Sequence, residues 1–430
     1  MTLFYHTPCC VSSFKVIFCR AFAYFANSAP KPLFCDYLLT KNAADDIIGV
    51  TDNSFKEGDT VQNKYDIAAF IWPSYTGDEP RSRIFWQEGY GEWQTVKAMK
   101  PMYPGHEWPR KPLWGYVNEA DPYVMEMEIN AAADHGVNVF IYDWYWYDNR
   151  PFLEQCLDNG YLRAKNNDRV KFYLMWANHT ATSLWDKRTA ELNTPIWNGD
   201  VTRDVFDTIV HRTIEKYFSH PSYYKIDGKP VYMIYDLANL VNGLGGIKNT
   251  RKALEYFREE TVKAGFPGLE LQLTLRGQSY CNTTGLDPAF EGNTVSAIHE
   301  VGFDSVVHYQ FVHFANMGRD YGEILDDVKR EWDYIDRNFK IPYYPHVSVG
   351  WDANPRFNSL KGNVCKGNTP EAVRKAFEMA KEYVDTHSSL KAPLITVNSW
   401  NEWTETSYLE PDDLYGYGYL DVIRSVFKEN

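Results

Sequence analysis

From residue 66 onward, short β-rich apolar runs alternate with longer segments whose apolar positions recur at three and four spacing. That alternation predicts βα units built around a parallel sheet. The strand-like runs are "DIAAFIW" (66–72), "VNVFIYD" (137–143), "VKFYLMW" (170–176), "PVYMIYD" (230–236), "LELQLTL" (269–275), "FDSVVHY" (303–309), "YYPHVSVGW" (343–351) and "PLITVNSW" (393–400). Amphipathic segments separate them. In "DPYVMEMEINAAADHG", Asp121 is placed to cap a helix, Pro122 to open it and Gly136 to stop it. "TRDVFDTIVHRTIEKYF", "TRKALEYFREETVKAG", "YGEILDDVKREWDYIDRNF" and "TPEAVRKAFEMAKEYVDTH" carry apolar residues on one helical face and charges on the other.

Eight strands with helices in nearly every connection predict an α/β fold, a (β/α)8 TIM barrel forming a single catalytic domain over 66–430 with long βα loops. A doubly wound open sheet is the alternative, but the chain has no GxGxxG and no P-loop. Residues 1–65 are expected to be an N-terminal leader or arm. The first 35 are apolar and basic without an acid, yet Arg20 interrupts the stretch and "FANSA" is only a fair cleavage site. Beyond them there is no run of 18 apolar residues, so no membrane span is expected.

Composition narrows the partners. A formal net charge of -13 disfavours nucleic acid and anionic membranes, which gain nothing from an acidic surface. Aromatic residues make up 16% of the chain, with 14 Trp and 31 Tyr, and flat aromatic faces suit the C–H faces of sugar rings. Seven cysteines without a CxxC pair exclude a zinc ribbon, and Cys156, Cys281 and Cys365 read as buried thiols.

In a barrel the chemistry sits at the C-terminal ends of the strands. At those ends the eight runs lead into "WPSYTGDEP", "YDWYWYDNR", "WANHT", "YDLAN", "LRGQS", "HYQ", "GWDANPR" and "SWNEWTETSYLEPD". The opposite ends, such as "HG", "DGK" and "NFKI", are ordinary. This asymmetry makes Trp72, Tyr75, Asp143, Trp144, Tyr145, Trp146, Trp176, Asn178, Asp236, Arg276, His308, Tyr309, Trp351, Asp352, Trp400, Asn401, Trp403 and Glu410 candidates for binding a polar ring. Asp143, Asp148 and Asp236 could instead cap a helix or pair with an arginine, and Asp352 could pair with Arg356. Glu402 and Glu405 form the catalytic candidate. Acetal hydrolysis needs a proton donor to the leaving oxygen and a second carboxylate, and this pair lies between indoles after the eighth run. His308 has no second ligand at metal spacing, so no metal and no cofactor is expected.

"FIWPSY", "YDWYW", "WANHT", "KPVYMIYD", "GWDANPR" and "NSWNEWTETSYLEPDDLYGYGYL" together resemble the WbsX-like group, similar to glycoside hydrolase family 99, over roughly 66–424. The resemblance implies a (β/α)8 barrel and matches an E-W-x-E motif to Glu402 and Glu405. It implies that Glu405 is the general acid/base. It implies for Glu402 the role of base to the sugar's own 2-hydroxyl, through a 1,2-anhydro sugar with net retention. Two positions depart from the pattern: His179 stands where W-A-N-E-N has an acid, and Thr406 where glycine is frequent.

The expected function is a retaining glycosidase, endo-acting favoured, on a poly- or oligosaccharide, with a secreted or periplasmic site favoured over others. The alternatives are a glycosyltransferase of polysaccharide assembly and a non-catalytic glycan-binding barrel. No two aspartates lie two apart, which counts against a metal-dependent transferase. Sugar, linkage and oligomeric state are left open.

Overall fold

The computed structural model describes residues 64–77, 79–107, 109–276 and 293–427, all within a compact unit spanning Val61–Asn430. The leader or arm reading of 1–65, apart from Lys64 and Tyr65, lies outside the described residues. So do Cys281 and the residues just after Arg276.

Eight parallel strands form the barrel: β1 (Asp66–Ile71), β2 (Val139–Tyr147), β3 (Lys171–Trp176), β4 (Lys229–Ile234), β5 (Glu270–Leu275), β6 (Ser305–His308), β7 (His346–Ser348) and β8 (Leu394–Asn398). Neighbours pair in the order β6, β5, β4, β3, β2, β1, β8, β7. A parallel bridge between Val306 and Tyr343 joins the two ends. Each predicted run overlaps one of these strands, and the fold is a (β/α)8 barrel. Because side chains meet either the interior or the helix ring, the strands are buried on both faces, and polar strand residues such as Gln272, His346 and Thr396 are buried with the apolar ones.

Asp121 accepts a hydrogen bond from the Tyr123 N–H and Pro122 opens α1 (Pro122–Asp134). Further barrel helices are α2 (Arg203–Thr213), α3 (Ile247–Lys263), α4 (Thr294–Val301), α5 (Tyr321–Asn338), α6 (Pro370–Thr386) and α7 (Gly418–Phe427). None of the described helices is long and apolar enough to cross a membrane.

One element differs from its sequence reading. The second strand does not stop at Asp143 but runs to Tyr147 and folds back antiparallel onto Arg150–Phe152. Asp148 and Asn149 make the turn, both at φ +56°, the left-handed geometry that suits a right-twisted hairpin. "WYWY" is therefore strand, not loop, and its side chains alternate between two faces.

Candidate active site

β8 ends at Asn398, and the chain turns so that the Trp400 N–H donates to Phe70 O at 2.7 Å. Asn401–Glu402 then pairs antiparallel with Ser407–Tyr408 around a tight helical turn, Trp403–Glu405. Thr406 closes that turn at φ +55°, a conformation glycine adopts without cost, which explains the frequent glycine of the resembling pattern. Its hydroxyl donates to Asp352 O at 2.9 Å, and the Asp352 N–H donates to Glu405 O at 2.8 Å. The backbone that carries both glutamates is thereby tied to the segment after β7.

That segment also delivers Arg356, from the short turn Asn354–Arg356. Its Nη2 donates to Glu402 Oε1 at 2.7 Å, its Nη1 to Glu405 Oε1 at 2.5 Å, and its Nε to Thr404 Oγ1 at 3.0 Å. Glu92, from the long β1–α1 connection, places Oε1 3.7 Å from the same guanidinium, while its other oxygen accepts the indole N–H of Trp72. On the far side of Glu402, the Tyr309 hydroxyl donates to Asp143 Oδ2 at 2.9 Å and lies 3.2 Å from Glu402 Oε2.

Four carboxyls thus surround one arginine and one phenol. Burial pushes all four upward in pKa, most strongly Glu402 and Asp143. The Glu405 charge raises Glu402 further, and Arg356 pulls Glu92, Glu402 and Glu405 back down. The two glutamates are not equivalent. Both oxygens of Glu402 are engaged, whereas the Glu405 side chain is 13% exposed and is held through Oε1.

The acids open into a cavity of about 470 Å³ at the C-terminal ends of the strands. Trp72, Tyr145, Trp185, Tyr235 and Tyr309 supply its aromatic wall. Asp236 lines the cavity as well, although it also caps the short helix Leu237–Leu244 and pairs with Arg276 at 2.9 Å. His179 is another lining residue, packed edge-on against Tyr145, Trp185 and Tyr235. Burial lowers its pKa to about 4, so the imidazole is neutral near pH 7.

Of the sequence candidates, the structure brings Trp72, Asp143, Tyr145, Asp236, Arg276, Tyr309, Glu402 and Glu405 to this cavity. The others lie elsewhere. Trp144 donates to Glu154 with Trp146 beside it, and Trp176 packs on Phe206. His308 bonds the Tyr343 hydroxyl and faces Glu331. Asn178 exchanges two hydrogen bonds with the main chain of Asp236, tying the end of β3 to that of β4. Tyr75 accepts from the Trp403 N–H, Trp351 packs against the core, and Asp352 is paired with His106 at 2.6 Å rather than with Arg356. Trp400, Asn401 and Trp403 donate to Glu128, Glu119 and Glu410. Trp185 and Tyr235, which line the cavity, and Glu92, buried behind it against Arg356, are not singled out by the sequence pattern. Tyr235 lies within the fourth run, at its C-terminal end, and shares the strand-end signal, whereas Glu92 and Trp185 sit in long connections with no period to mark them.

A family model described as "Glycosyltransferase WbsX" matches residues 67–423. Proteins from two strains of Xanthomonas campestris pv. campestris, each described as "Uncharacterized protein WxcX", are 24% identical over 378 residues, a match covering 83% of this chain. The chain spans about half, 49%, of the length of those relatives. Among solved structures, one described as "Glycoside hydrolase-like protein" superposes with a TM-score of 0.55 at 17% identity, covering 86% of this chain and 96% of that one. The GH99 endo-alpha-mannosidase from Bacteroides thetaiotaomicron gives 0.48 at 16% identity, covering 84% and 95%. The first of these likenesses shows a shared fold, that of a glycoside hydrolase-like barrel. With 67–423 matched, the chain belongs to the family described as glycosyltransferase WbsX.

Proposed function

We propose that this protein is a retaining glycosidase acting within a poly- or oligosaccharide, with Glu405 as general acid/base and Glu402 as the assisting base. The observation that carries the reading is the unequal pair of glutamates on one guanidinium, at the wall of an aromatic cavity. Glu405, the more exposed of the two and held only through Oε1, is placed to reach the leaving oxygen as its proton donor. Glu402, fixed between Arg356 and Tyr309, is suited to take the proton of the sugar's 2-hydroxyl as that oxygen closes on C1. The leaving oxygen departs with the Glu405 proton and a 1,2-anhydro sugar remains. Water, deprotonated by Glu405, opens it at C1, and the 2-oxygen recovers its proton from Glu402. Two inversions at C1 give net retention. Trp72, Tyr145 and Trp185 would stack on the sugar while Asp143, Asp236 and Arg276 address its hydroxyls.

The family description favours a second reading, glycosyl transfer, in which an acceptor hydroxyl replaces water at the last step. Reducing-end release from a panel of α-mannans and pectic, host and bacterial glycans separates the two. Glycosidase activity should appear in wild type and fall about 10²–10⁴-fold in Glu405→Gln, the usual contribution of one general acid/base. Product formation only when an acceptor sugar is supplied would favour transfer. Tight glycan binding with no product in either assay would favour a binding barrel.

A further inference from the structure

We propose that Glu119, Glu128 and Glu410 form a binding site for one divalent cation of the oxygen-preferring class, Mn²⁺, Mg²⁺ or Ca²⁺, buried behind the loop that carries Glu402 and Glu405. Each of the three offers a carboxylate oxygen, and these oxygens all lie within 4.8 Å of one another. Two ligands of one ion can be no further apart than twice the metal–oxygen distance, about 4–5 Å for distances of ~2.0–2.6 Å. The three side chains come from separate places: Glu119 from the end of the β1–α1 connection, Glu128 from α1, and Glu410 from the segment after β8.

A second observation points to a ligand. Glu128 Oε1 and Glu410 Oε1 have no hydrogen-bond partner, although their residues are 0% and 3% exposed. A buried carboxylate oxygen left without a donor is costly. Among the described residues, no lysine, arginine or histidine forms an ion pair with any of the three. The cluster must therefore be neutralised by protons or by a cation.

The donors that are present sit in an outer ring. Trp400 Nε1 donates to Glu128 Oε2 at 3.1 Å, Asn401 Nδ2 to Glu119 Oε1 at 2.8 Å, and Trp403 Nε1 to Glu410 Oε2 at 2.5 Å. The Cys156 thiol meets the remaining Glu119 oxygen at 3.5 Å. One oxygen of Glu128 and one of Glu410 is thus fixed from outside while the other is left open, the arrangement by which outer partners orient metal-binding carboxylates. All three indole or amide donors flank Glu402 in sequence, so a cation here would set the position of the acid-bearing loop without touching substrate.

The test needs no sugar, and its outcome is therefore independent of the glycosidase reading. The purified full chain is analysed for bound metal after desalting, then stripped with EDTA and melted with and without millimolar Mn²⁺, Mg²⁺ or Ca²⁺. We expect about one equivalent of cation per chain and a higher melting temperature with at least one ion. Glu128→Gln and Glu410→Gln keep the acceptor for the indole N–H but lose a charged ligand, and should weaken uptake about 10-fold or more. Far-UV circular dichroism establishes whether each variant is folded. If folded wild type holds no cation and none of the three ions shifts its melting temperature, the proposal is wrong and protons neutralise the cluster. Uptake that survives in both folded variants would place the ion elsewhere and equally overturn it.

Discussion

Arg356 Nη2 sits 2.7 Å from Glu402 Oε1, and the two side chains are only 7% and 3% exposed. This buried contact is one arm of a fork whose other arm holds Glu405. Removing a charge from such a pair leaves its partner buried and uncompensated, at a typical cost of about 3–5 kcal/mol. Arg356→Ala should therefore lower the stability measured by urea unfolding by that order and abolish turnover. Arg356→Lys keeps the charge but cannot bridge two carboxylates, and should recover part of the stability with little activity. Full activity in the lysine variant would show that the fork geometry is not needed.

The Tyr309 hydroxyl stabilises charge on the carboxyls beside it, lowering Asp143 against the upward push of burial. In Tyr309→Phe that support is gone, and Asp143 keeps its proton to higher pH. If turnover needs Asp143 ionised, the acid limb of the kcat/KM profile should move to higher pH. An acid limb that stays in place would mean that turnover does not depend on the charge of Asp143.

Glu119 carries a pH prediction for protein kept in EDTA. Its folded-state pKa, about 8, lies above the ordinary 4.5 because burial disfavours its anion. The folded state thus binds the proton more tightly than the unfolded one. The associated stability is present in full below about pH 4.5 and is lost as pH rises toward 8. Urea midpoints for wild type should fall across that window more steeply than those of Glu119→Gln. Parallel curves would argue that Glu119 is not a buried proton carrier.

Trp185 packs against Trp72 at 5.3 Å and contributes to the cavity wall. If the wall is a sugar platform, Trp185→Ala should raise KM about 3- to 10-fold, the equivalent of an aromatic contact of ~0.5–1.5 kcal/mol, with a smaller change in kcat. Calorimetric melting checks that the variant remains folded at the assay temperature. A large fall in kcat with KM unchanged would instead give the indole a role in holding Glu92 and Trp72.

The barrel is legible in the sequence because most strands fall in short apolar-rich runs, and the helices between them carry capping or turn residues, as at Asp121 and Gly136 around α1. Parity within the strands is what strand-end position alone does not supply. Asp143 and Tyr145 face the cavity, while Trp144 and Trp146 face away on the same strand; Tyr309 faces it and His308 does not. A period of two, anchored on Asp143, sorts these neighbours without coordinates. No such rule finds Glu92. It reaches Arg356 only because the long β1–α1 connection folds back over the barrel mouth, and nothing local in "YGEWQ" encodes that.

Barrel enzymes are commonly regarded as a fixed scaffold with exchangeable loops, each a module that can be transplanted. Here the counter-ion of the acid pair arrives on one connection, a third acid on another, and the pair itself on the last. Grafting any one of these loops into a sister barrel would import an unmatched charge into a dry interior. The unit of inheritance at this site is accordingly the whole rim, and its loops are expected to diverge together or not at all.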